Sequence, residues 1–340
     1  MNATPNYSHP DQQIRHSYPL AVTTTGFSTA LSLCLKTLPF ILLRLGILMA
    51  FAIGAIIWFA ICGGIAALFA GKNGEHASGG IILFLFAVAL PSGIYAWLRN
   101  YVLSMLKLGH VAALTKLITD GAIPESTNQV EYGKALVTER FAEANILYVL
   151  DALITGVVQA FNSTLDWVTR LIPIPGLDNV TKLVAAVIRN ATTYIDEAIF
   201  SYNLARGDDN VWRSSTDGLV YYGQNVKAVL KTAAWALIIE YVLTAVLFLL
   251  CLIPAALIGY ILPSAVAGFA WVLALILAAA LRSALLHPIF LTMVMLTYHT
   301  SIKGQVIDLS VSETLNSVSG KFKELGEKAR QWVAPVPQKN

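Results

Sequence analysis

The chain has 340 residues, of which 56% are hydrophobic and only 13% charged, against roughly 25% charged in soluble globular domains. That deficit excludes an ordinary water-soluble domain and points to a polytopic membrane protein. A formal net charge of +3, with no lysine- or arginine-rich block, carries no footprint for nucleic acid.

Residues 1–26 form a polar tail, expected to be disordered, and contain no apolar h-region, so no cleavable signal peptide is expected. Residues 27–108 read as a first transmembrane hairpin with flanking helices. Its first span, Leu45 to Ala70, has 26 residues, about 39 Å as a helix, and its second, Gly79 to Leu98, is about 30 Å long. The loop "GKNGEHAS" joins them. Gly46, Ala50 and Gly54 recur every four residues, either as a ridge where another helix approaches or as the small residues common in such helices.

Residues 109–236 read as an amphipathic helical region on the cytoplasmic side. Here Glu139, Glu143, Asp151, Thr155, Gln159, Asn162, Asp166 and Arg170 fall on one narrow polar stripe of a long, otherwise apolar helix. Pro173, Pro175 and Gly176 end it. Whether residues 144–161 span the membrane, dip into it or lie on it stays open from sequence. Asp151, Thr155, Gln159, Asn162 and Asp166 are candidates for lining a pathway or for a protein contact. On a straight helix Asp151 and Asp166 stand about 22 Å apart, too far to form one two-carboxylate site.

The next helix runs from about Asn179 to Ala205. Ile195 is expected to face inward, with Ala191, Ala198 and Tyr202 near it on the helical wheel. Asp196 and Glu197 then fall on the far side with Lys182, Arg189 and Thr193, and are expected on a solvated or partner-facing surface. "RGDDN" breaks the chain, with Asp209 or Asn210 as the cap of the helix that follows.

Residues 237–298 hold the second hairpin, with spans at about Tyr241–Leu262 and Ala265–Leu286 and a turn at Pro263-Ser264. Glu240 and Arg282 lie at similar depths on its two arms, either as a cross-hairpin ion pair or as independent headgroup contacts. The tail, 299–340, carries a seam of Val311, Leu315, Val318, Phe322, Leu325, Ala329 and Trp332 beside several lysines. That segment touches anionic lipid, pairs with another helix, or folds back on its own chain.

Only Lys72 among the 23 Lys and Arg falls in a hairpin loop, so both hairpin tips are expected outside and both termini in the cytoplasm. The chain contains no phosphate loop, no H-E-x-x-H, no G-x-S-x-G and no paired CxxC. A non-enzyme without cofactor or metal is expected. Cys34, Cys62 and Cys251 lie in or beside apolar stretches and read as buried free thiols, and His110 as an interfacial histidine.

"RNATTYIDEAIFSYN" and "SSTDGLVYYGQN" together carry Arg189, Asn190, Ala191, Tyr194, Ile195, Ala198, Ile199, Asn203, Ser215 and Asn225. This cluster resembles a segment near the C-terminal end of choline transporter-like membrane proteins, where it also precedes two spans with a tiny turn between them. The match covers at most the second half of the chain. It departs at the two threonines between Ala191 and Tyr194 and at "LARGDDNVW". The resemblance implies a shared helical architecture, with Arg189, Asn190, Tyr194 and Asn203 as its motif residues, and a transport role.

The sequence thus predicts an all-α, polytopic integral membrane protein with about four transmembrane helices in two hairpins and long amphipathic interfacial helices between them. It is expected in the bacterial inner (plasma) membrane as a homo-oligomer in the lipid bilayer. The expected role is transport or channel-like, for a small solute or lipid. The alternative is a non-catalytic membrane scaffold or assembly factor.

Overall fold

The computed structural model describes residues 18–70, 77–124, 128–141, 144–165, 180–208, 210–261 and 270–332. Every regular element among them is helical: α1 Phe27–Lys36, α2 Leu38–Ala70, α3 Ala77–Thr119, α4 Gln129–Arg140, α5 Ala144–Asn162, α6 Val180–Arg206, α7 Val211–Gln224 and α8 Val226–Ile261. Then follow α9 Ala270–Leu281, a π-helical turn Arg282–Leu286, α10 His287–Ile302, α11 Leu309–Val318 and α12 Gly320–Gln331.

Four stretches are long and apolar enough to cross a membrane: Leu38–Phe69, Ser78–Thr119, Val226–Leu257 and Trp271–Ile302. Each is longer than the span read from hydropathy, because the helices continue past the apolar run into a packed helical body. In α3 the change is plain. Ile81, Phe86, Ile94 and Trp97 are exposed, whereas Val111, Ala113, Leu114 and Ile118 are buried. α2 packs along α3, and α8 along α9.

The main core lies beyond these exposed ends, around α6, α7 and α10. α6 is wrapped by α3, α4, α5, α7, α8 and α10. From Ala191 to Asn203 only Thr193 reaches solvent. The turn after α6 follows its chemistry: Gly207 takes φ 66, a conformation that favours glycine. Asn210 then caps α7 by accepting from Arg213 N at 3.0 Å.

Two local features depart from the sequence reading, the polar stripe and the single helix of the tail. Glu139 belongs to α4, which ends at Arg140, and α5 starts at Ala144, so the polar stripe is shared between two helices. Glu143, Asp166 and Arg170 lie outside the described residues. The tail is two helices that meet at Ser319, and it folds back on the chain through buried Leu315, Phe322 and Leu325. α12 rests on α5 and α7, with Asn210 Nδ2 donating to Ala329 O at 2.7 Å.

Close helix approach occurs where no repeat signals it. A Cβ on Gly133 of α4 would meet the Gly109 carbonyl of α3, and Phe40 Cζ at 2.8 Å. At Gly46 and Gly54 a Cβ would meet nothing within 4 Å, so that ridge carries no helix contact among the described residues. All three cysteines are buried and free.

Candidate functional site: a buried charged seam

A seam of ionisable groups runs where α2, α3, α5, α6, α8 and the π turn meet. Lys107 Nζ of α3 sits 2.6 Å from Glu197 Oε1 of α6. Arg282 Nε, in the π turn, donates to Glu240 Oε1 of α8 at 2.8 Å. His287 Nδ1 lies 3.6 Å from the other Glu240 oxygen, and its ring stacks on Tyr194 with centroids 5.1 Å apart. Arg44 of α2 is only 8% exposed. It lies in the field of both Glu197 and Glu240, and its Nε has no hydrogen-bond partner among the described residues. Arg44, Lys107 and Arg282 each sit in a largely apolar stretch of helix, where loss of solvent favours a carboxylate nearby.

The π turn has a local cause. Pro288 lacks an N–H and its ring would crowd the carbonyl four residues back. The helix widens by one residue just before it, and His287 N–H reaches Arg282 O. The widening falls on the segment that carries Arg282 and His287.

On the α5 side, Thr155 Oγ1 donates to Asp196 Oδ2 at 2.8 Å. Asp196 is 7% exposed and Glu197 4%. The sequence places both on a solvated or partner-facing surface rather than in a buried site. The helical wheel separated polar from apolar residues correctly, but α6 is enclosed, and its polar face turns toward other helices that supply Lys107 and Thr155. Burial holds the Asp196 carboxyl well above the usual carboxylate range; the Thr155 bond opposes this, Asp151 and Glu197 add to it, and the charge of Lys107 opposes it weakly. Asp151 reaches solvent, yet partial desolvation still raises its carboxyl; Lys107 opposes this and Glu197 adds to it.

The stripe residues separate into two environments. Gln159 is exposed with Asp151, whereas Thr155 is half-buried and Asn162 buried. Asn162 Oδ1 accepts from Tyr222 OH at 2.6 Å. Thr155 and Asn162 are therefore contacts to α6 and α7. Asp166 cannot be placed, since it lies outside the described residues.

The resemblance-motif residues also divide. Arg189 and Asn190 are exposed. Tyr194 and Asn203 are buried. Asn203 Nδ2 donates to Ser215 Oγ and to Val211 O, both at 2.7 Å, and its Oδ1 accepts from Arg140 Nε at 2.8 Å. One motif asparagine thereby ties α4, α6 and the start of α7 together. A second polar chain runs from Thr115 through Ser201 and His299 to Tyr18, with steps of 2.7, 2.8 and 2.8 Å. Ser201 and His299 are fully buried, so this serine–histidine pair packs the core and offers no nucleophile to solvent. His110, expected at the interface, is likewise buried: its ring stacks on Phe40 and meets Thr37 Oγ1 at 2.8 Å.

No cluster of three or more His, Cys, Asp or Glu suited to a metal ion occurs among the described residues. Comparison with family models, curated proteins and solved structures finds no match. The seam must be read on its own chemistry. Sequence reasoning had paired Glu240 with Arg282 as one of two options, but it missed Lys107, Arg44 and His287. The available signal was a lone cation in an apolar run, as in "FILLRLGIL" and "SMLKLGHVA".

Proposed function

We propose that this chain is a multi-pass protein of the bacterial inner membrane with a transport or channel-like role for a small solute or lipid, and that the charged seam is its working region. The observation that carries this is the seam itself: Arg44, Lys107 and Arg282 gathered with the carboxyl groups of Glu197, Glu240 and Asp196 where apolar helices enter the helical body. Ionisable groups at such depth are costly, and they mark solute or ion routes more often than they add stability. A π-helical turn within a long helix is a further frequent companion of function. The resemblance of the α6–α7 motif to choline transporter-like proteins belongs to the same reading. Four spans seldom enclose a route alone, so the reading includes a homo-oligomer.

The scaffold reading is kept because of one observation. Thr155 and Asn162 bond to neighbouring helices, as a static protein contact would. Water separates the two. In a background without native cysteines, Thr155→Cys should react with a small water-soluble thiol reagent in lipid vesicles within about tenfold of the rate of Gln159→Cys, on the exposed side of the same helix. A Thr155→Cys thiol that stays unreacted while Gln159→Cys is fully modified would make the seam a dry contact and favour the scaffold.

A further inference from the structure

Asp196 is poorly served by the ion pairs around it. Thr155 Oγ1 is its one hydrogen-bond donor, and Oδ1 has no partner among the described residues. Lys107, from α3, pairs with Glu197 at 2.6 Å, and its charge reaches Asp196 only as the smallest of the influences on that carboxyl. From α2, Arg44 lies in the field of Glu197 and Glu240. From α7, the Tyr222 hydroxyl donates to Asn162. From α4, Arg140 is bound to Asn203 and Ser214. From α8 and α10 come Glu240 and His287, which face each other and Arg282. A carboxylate 7% exposed with a single neutral donor is under-solvated, and binding a proton is the cheapest way to relieve it.

We propose that Asp196 is a proton-binding site: it is a carboxylic acid at neutral pH, exchanges its proton with water by way of Asp151, and loosens the packing around α6 when the proton leaves. Asp151 is suited to that route because it is solvent-exposed and lies one turn before Thr155 on α5. The proton passes to the Asp151 carboxylate and then to water, and the charge left on Asp196 faces Asp151 and Glu197. The inference goes beyond the transport reading and holds whether or not a solute moves.

The sign of the pH effect follows from the direction of the shift. Folded Asp196 holds its proton to higher pH than the unfolded chain does. The contribution of Asp196 to stability is therefore greatest in acid and falls as pH rises through the window between the unfolded and folded values. In Asp196→Asn the loss should disappear: the variant should match wild type in acid and melt higher under alkaline conditions. Parallel melting profiles for the two proteins would overturn the loosening.

Infrared spectra of the purified full chain in lipid nanodiscs test the proton directly. The wild-type spectrum at neutral pH should contain a protonated-carboxyl C=O band that Asp196→Asn lacks and that alkaline titration removes. Thr155→Val keeps Asp196 in place and removes the donor that favours its charged form, so it should move the midpoint of that titration to higher pH. This second variant decides the assignment even if Asp196→Asn folds poorly. A neutral-pH difference spectrum showing an ionised carboxylate, or a midpoint indifferent to Thr155→Val, would overturn the proposal.

Discussion

Arg282→Leu is expected to destabilise the folded protein by about 3–5 kcal/mol, the usual cost of stranding a buried charge. Glu240 is 1% exposed and accepts from Arg282 at 2.8 Å, so loss of the guanidinium leaves a buried carboxylate with only the His287 ring, 3.6 Å away, beside it. The same change removes the stacking of Arg282 over the Tyr241 ring at 4.3 Å. Adding Glu240→Leu should recover more than half of the loss, because the stranded charge goes with it. A double-mutant cycle on thermal unfolding in detergent measures this. Strictly additive losses would mean that the two residues do not stabilise each other.

Ile195→Asp is the second large effect. Ile195 is fully buried on α6, as are its neighbours Ala191 and Ala198. An aspartate there would lose apolar packing and bury a charge with no donor, a combination that places it among the rare changes costing more than about 4 kcal/mol. One residue further on, Asp196 is tolerated because Thr155 meets it. The candidate spans exclude α6, so the variant should still insert but lose protease resistance in α5, α6 and α7. A wild-type melting temperature for Ile195→Asp would contradict the packing described here.

What could be read from the sequence follows from what hydropathy measures. The four long apolar helices were legible because their runs of Ile, Leu, Phe and Ala leave no other economical structure. The end of α6 and the Asn210 cap were legible because glycine and short polar residues act locally. The far ends of the spans were not, since Leu114 and Ile118 look alike whether lipid or α6 covers them. Glu240 with Arg282 could be paired by counting from Pro263. Lys107 with Glu197 could not, because nothing local aligns α3 with α6. Asp196 shows the same limit. A helical wheel reports that a face is polar, and only the packing of α3 and α5 against it decides whether water or protein answers that polarity.

The proposed topology has four spans, with the charged seam and the helical body together on the cytoplasmic side. Single cysteines, in a background without native ones, test it with a membrane-impermeant thiol reagent added to intact cells. Asn73→Cys, between α2 and α3, should be labelled from outside. Ser163→Cys, just after α5, and Ser317→Cys, in α11, should be labelled only once the membrane is opened. Labelling of Ser163→Cys in intact cells would contradict the account, because the seam could not then lie at the cytoplasmic end of the four spans.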